Sequence, residues 1–89
     1  MVVVKIYTIP TCPHCAATRE FLKKNSIEFE DYNVEEDENR WKEALSKTGG
    51  IDIVPVVDIG GRIIFGTYTS EFEKKLTDAL GLDPRTVHR

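Results

Sequence analysis

The 89 residues predict one α/β domain, ordered β-α-β-α-β-β-α around a mixed four-stranded sheet flanked by helices. Three observations carry this. An N-terminal β-branched run, a helical stretch and a second β-rich run form a βαβ unit, whose strands are parallel and joined by a right-handed crossover. Gly60-Gly61 lies between two short apolar runs and marks a hairpin, hence antiparallel strands. Ser70 and Glu73 have capping-box spacing ahead of an apolar periodic stretch, so a helix closes the chain.

The elements follow in order. Val2 to Thr8 has little polar interruption and reads as a central strand covered on both faces. Lys5 interrupts it, with a stem that packs and an amine that reaches water. Pro13 to about Asn25 reads as a helix, since proline suits the first helical position. Ala17, Phe21 and Leu22 form its inner face. Ile27 to Val34 reads as the second strand. Ile27 and Phe29 are out of phase with Tyr32 and Val34, which calls for a twist or bulge near Asp31. Glu35 to Thr48 reads as a helix with acidic residues at its start, an inner face of Trp41, Ala44 and Leu45, and Gly49 as its stop. Pro55–Ile59 and Arg62–Phe65 are the hairpin strands. In the last helix Phe72, Leu76, Ala79 and Leu80 face inward, and Gly81 and Pro84 end it. The domain is expected over residues 1–82, with residues 83–89 a frayed tail.

Composition narrows the function. The formal net charge is -3, and phosphate binding needs a basic patch, so nucleic acid is not an expected partner. No stretch is long enough to span a bilayer. Val2-Val3-Val4 is too short for an export signal, so the expected location is the cytoplasm and no membrane partner is expected. Structural disulfides are unusual there, so the two cysteines point to catalysis or metal binding.

Those cysteines stand in Cys12-Pro13-His14-Cys15, with Cys12 at the N-cap of the first helix and Cys15 at its third position. One helical turn brings the two sulfurs together. Free amide N–H groups and the positive end of the helix favour a thiolate at Cys12; cysteines so placed ionise at roughly pH 3.5–7.5 instead of about 8.5. Cys12 is the expected attacking thiolate, exposed to the substrate, and Cys15 the covered thiol that resolves the mixed disulfide. Pro13 fixes the helix start. His14 is expected to turn an N–H toward the Cys12 sulfur and, when protonated, to make the pair more oxidising. The competing reading is a metal module. A closed zinc site needs four ligands, and only His88 in the tail adds to Cys12, His14 and Cys15. Zinc or an iron–sulfur cluster bridged between two chains through Cys12 therefore stands as the alternative. It predicts a coloured or zinc-loaded dimer, where a redox carrier predicts a colourless monomer with two titratable thiols.

Tyr7-Thr8-Ile9-Pro10-Thr11-Cys12-Pro13-His14-Cys15, Gly49 to Val57, Gly60-Gly61 and Gly66-Thr67-Tyr68-Thr69-Ser70 together resemble the glutaredoxin family within the thioredoxin-like fold, from Val2 to about Leu80. The resemblance implies the sheet order 4-3-1-2 with the third strand antiparallel to the rest, and a cis Val54–Pro55 bond beside the cysteines. It implies substrate-binding roles for Thr11, Val54, Pro55, Thr69 and Ser70: the backbone of Val54 pairs with an extended substrate, and the helix start at Thr69 and Ser70 receives a carboxylate. It implies a dithiol–disulfide oxidoreductase acting on protein or small-molecule disulfides, with no resident cofactor and with glutathione or another thiol as co-substrate. The chain departs from the glutathione-using pattern in three places. Ile9 stands where a basic residue is usual, Ile53 where threonine is usual, and Gly66-Thr67 with Thr69-Ser70 where two glycines and an aspartate are usual. Each change removes a polar contact, and the missing cation alone is worth on the order of 1 kcal/mol. A thioredoxin-reductase-type electron donor suits such a chain. Small redoxins that serve ribonucleotide reductase share this mixture.

Overall fold

The computed structural model describes residues 3–83, 85 and 87. Its elements are β1 (Val4–Thr8), α1 (Pro13–Lys24), β2 (Glu30–Asn33), α2 (Glu38–Thr48), β3 (Val56–Ile59), β4 (Arg62–Phe65) and α3 (Ser70–Ala79). The sheet runs β2-β1-β3-β4. β1 pairs parallel with β2, from Lys5↔Glu30 to Thr8↔Asn33. It pairs antiparallel with β3, which in turn pairs antiparallel with β4. This is the expected order.

Both sheet faces are covered, and alternation along the strands sorts side chains between them. Val4, Ile6, Val57, Ile59 and Ile64 meet Phe21 and Leu22 of α1 and Phe72 and Leu76 of α3. On the other face Tyr7, Val56 and Val34 meet Ala44 of α2. This explains the phase change expected to need a bulge at Asp31. The β1–β2 register is regular through Tyr32 and Asn33. Ile27 and Phe29 pack on the α1–α3 side, while Tyr32 and Val34 pack on the α2 side. Two covered faces give two apolar phases, so no bulge is required. Residues 27–29 lead into the strand without joining it.

Helix boundaries follow their caps. α2 starts later than expected because Asp37 accepts from the N–H groups of Asn39 and Arg40, leaving residues 35 and 36 in a turn. Gly49, in the left-handed region at φ 76°, closes it. α3 is capped by Thr69, whose Oγ1 accepts from Phe72 N–H, rather than by Ser70 in a box with Glu73. Glu73 instead accepts from the Tyr68 hydroxyl at 2.7 Å. The buried face of α1 is Cys15, Thr18, Phe21 and Leu22, with Ala17 half-exposed. Thr18 can be buried because its hydroxyl donates to the His14 carbonyl at 2.8 Å. On α2 the buried residues are Ala44 and Thr48, and Trp41 and Leu45 are half-buried. Gly60 and Gly61, at φ 58° and 97°, make the β3–β4 turn, which asks both residues for positive φ. Leu82 and Val87 rest against the α1–α3 cluster. Val2, Pro84 and His88 lie outside the described residues.

Two polar contacts tie α2 to the sheet. The Tyr7 hydroxyl donates to Glu43, and Lys47 pairs with the buried Asp58 carboxylate. Burial alone would raise the Asp58 carboxyl. The Lys47 hydrogen bond, the Gly61 N–H and the Lys47 charge outweigh it and hold the group below the usual carboxylate range.

Candidate functional site

The C-terminal end of β1, the start of α1 and the segment ahead of β3 converge at one end of the sheet. Cys12 is the N-cap of α1, with Pro13 at the first helical position. Its extended backbone (φ −88°, ψ 115°) lets its Sγ accept the Cys15 N–H at 3.3 Å. Its carbonyl accepts Ala16 N–H at 3.1 Å, and its own N–H donates to the Ile9 carbonyl at 3.4 Å. Cys12 is half-buried and Cys15 fully buried, and both are free thiols. This is the expected division into an accessible and a covered sulfur.

The surroundings of Cys15 hold its proton in place. Burial is the main cause, and it pushes the thiol up to about 12. The Ile9 N–H hydrogen bond opposes this, the hydrogen bond to Cys12 adds to it, and the Arg19 charge lowers it. Arg19, one turn along α1, is held by Asp31 of β2 and Thr8 of β1: its Nε donates to Asp31, and one of its terminal nitrogens donates to Thr8 Oγ1 at 2.7 Å. Thr8 Oγ1 in turn donates to Asp31 at 2.6 Å. Sequence reasoning missed this cluster. The i, i+4 spacing of Cys15 and Arg19 was its one local signal.

His14 departs from expectation. Its ring Nδ1 accepts the Tyr68 N–H at 3.3 Å, and the amide that reaches the Cys12 sulfur is that of Cys15. His14 thereby links α1 to the β4–α3 loop. Tyr68 lies 54 residues away in sequence, and no local pattern announces the contact.

The Val54–Pro55 bond is cis, and Pro55 is fully buried. The β1–β3 register ends at Tyr7↔Val56. Continued by two residues, it sets Pro55 beside Thr8 and Val54 beside Ile9, at the edge of the cysteine loop. Thr11 is exposed in that loop. Thr69 and Ser70 follow Tyr68, the residue that His14 contacts, as the cap and first residue of α3. Thr69 is occupied as the cap of α3, and Glu71 and Glu73 put two carboxylates into that first turn. Their charge offsets the positive helix end that was expected to receive a substrate carboxylate.

Among the described residues no group of three or more His, Cys, Asp or Glu is placed to hold a metal ion. No helix among them is long and apolar enough to cross a membrane.

Comparison with known proteins places this geometry in a family. The glutaredoxin family profile matches residues 4–64, which include both cysteines and the cis proline. A glutaredoxin-like 8.6 kDa protein of the rubredoxin operon of Clostridium pasteurianum is 45% identical over 73 residues, spanning 80% of this chain and 93% of that protein. The crystal structure of a glutaredoxin from Archaeoglobus fulgidus superposes with a TM-score of 0.72 at 35% identity, covering 90% of this chain and 87% of the other. The glutaredoxin-like NrdH-redoxin of Escherichia coli shares the fold, with a TM-score of 0.66 at 24% identity over 80% of this chain and 91% of its own. The thioredoxin-like fold and the extent of the profile match agree: this chain belongs to the glutaredoxin family, whose members are thiol–disulfide oxidoreductases.

Proposed function

We propose that the chain reduces disulfides of proteins or small molecules through Cys12 and Cys15, as a monomeric cytoplasmic dithiol carrier. The observation that supports this most is the asymmetry of the pair: an accessible Cys12 sulfur accepting a helix N–H, one turn from a buried thiol.

The chemistry follows from that asymmetry. Cys12, as thiolate, attacks one sulfur of the substrate disulfide. A bond forms between Cys12 and that sulfur, and the other sulfur leaves as a thiolate and takes up a proton. Cys15 then gives up its proton and attacks the Cys12 sulfur, closing the Cys12–Cys15 disulfide and releasing the second substrate sulfur as a thiol. Two electrons pass from the protein to the substrate, with one proton from Cys15 and one from solvent. Formation of the mixed disulfide removes the Cys12 charge and its acceptor role, two of the causes that keep Cys15 protonated. Capture of the substrate therefore eases ionisation of the resolving thiol.

A thiol restores the pair. Glutathione and a thioredoxin-reductase-type enzyme are the two candidates, and the apolar Ile9 and Ile53 favour the second. Turnover of hydroxyethyl disulfide, measured side by side with glutathione plus its reductase and with a thioredoxin reductase system, tests this. Turnover in either system that disappears in Cys12→Ser is expected. No turnover in both, or metal-loaded dimers on purification, would overturn the reading.

A further inference from the structure

A groove of about 450 Å³ opens beside the cysteine loop, lined by Ile9, Trp41, Ile53, Val54, Glu35 and Asp52. Three features make it a place for a substrate's flanking residues. It includes Ile9, whose carbonyl accepts the Cys12 N–H, so it adjoins the loop that carries the attacking cysteine. It includes Val54, whose N–H and carbonyl have no hydrogen-bond partner among the described residues and so remain open to an added strand. Its only charges are the exposed carboxylates of Glu35 and Asp52, and neither is in an ion pair among the described residues.

We infer that this groove selects disulfides whose cysteine lies in an extended peptide with an apolar side chain on one flank and a basic side chain on the other. The inference rests on the oxidoreductase reading and adds its substrate class. Ile9, Ile53 and the half-buried face of Trp41 offer contact to the apolar side chain. Glu35 and Asp52 attract the basic one and repel anionic partners, among them glutathione with its two carboxylates. The carboxylates Glu71 and Glu73 at the start of α3 act in the same sense on the opposite loop.

The experiment is single-turnover oxidation of the fully reduced protein, which needs no reductase. Three disulfides are compared: one linking two copies of a short Leu-Cys-Lys peptide, one linking two copies of Glu-Cys-Glu, and hydroxyethyl disulfide as the unflanked reference. The Leu/Lys peptide is expected to react about tenfold faster than the Glu peptide at low salt, with the gap narrowing as salt is raised. Glutathione disulfide should fall with the Glu peptide. The exposed double variant E35K/D52K should reverse the order of the two peptides, each rate taken relative to that of hydroxyethyl disulfide with the same protein. Equal peptide rates in the wild type, or an order that the double variant does not move, would overturn the groove assignment while the hydroxyethyl disulfide reaction still upholds the oxidoreductase reading. Failure of that reference reaction would remove both.

Discussion

The Cys15 amide donates to the Cys12 sulfur at 3.3 Å, while the Cys15 sulfur itself has no exposure to solvent. One residue thus serves its partner twice, through its backbone as a hydrogen-bond donor and through its side chain as a protonated reserve.

Brief alkylation of the reduced protein with iodoacetamide at pH 7 should modify Cys12 alone, because burial both hides Cys15 and keeps its thiol near 12. Mass spectrometry of the digested protein reads the site. Cys15→Ser should accumulate a stable mixed disulfide at Cys12, and Cys12→Ser should accumulate none. Equal labelling of both cysteines would contradict the assigned roles.

Arg19 should matter for release rather than capture. Its charge lowers the Cys15 thiol, and its hydrogen bonds to Asp31 and Thr8 hold it in position. Arg19→Gln should slow resolution of the mixed disulfide by about threefold to tenfold at pH 7, with the loss recovered at higher pH. The first attack by Cys12 should keep its rate. Stopped-flow measurement of the two phases separates them; equal slowing of both would point to a general structural role.

His14→Phe removes the acceptor of the Tyr68 N–H. Hydrogen exchange at that amide should become faster by about tenfold, with a loss of about 1 kcal/mol in unfolding free energy. Protection at Tyr68 that survives the substitution would show that the loop is held by other contacts.

Asp58 sets an acid limit on stability. Its folded carboxyl lies below the usual range, so its contribution is present above the unfolded value of about 3.9 and is lost as pH falls through the folded one. Asp58→Asn should cost about 1–3 kcal/mol at pH 7, since it strands Lys47 against the sheet. The difference from wild type should shrink below about pH 4. Urea titrations at pH 7 and pH 3.5 measure it, and a pH-independent difference would mean that packing, not the charge pair, was lost.

The periodic elements and the redox motif were open to a reading of the chain because their causes are local. Alternation, Pro13 at a helix start, Gly49 at a helix stop and two glycines in a turn act over a few residues. The C-x-x-C spacing likewise fixes two sulfurs on one turn whatever surrounds them. Where two local signals competed, only packing could choose. Thr69 and Ser70 are both good caps, and the neighbouring Tyr68 draws Glu73 away from the box. The cis Val54–Pro55 bond came from likeness to a family, because no nearby residue demands it.

Contacts across the sheet were beyond the reach of the linear order. The two-phase run from Ile27 to Val34 became intelligible once helices covered both faces. The Thr8–Arg19–Asp31 cluster draws one residue from each of three elements, and His14 finds its partner 54 positions away. The residue order therefore determined which elements form and which atoms can carry thiol chemistry. Tertiary packing decided which groups set the Cys15 thiol, where the histidine points and which charges face the groove, because burial and electrostatics depend on distance in space and not on separation along the chain.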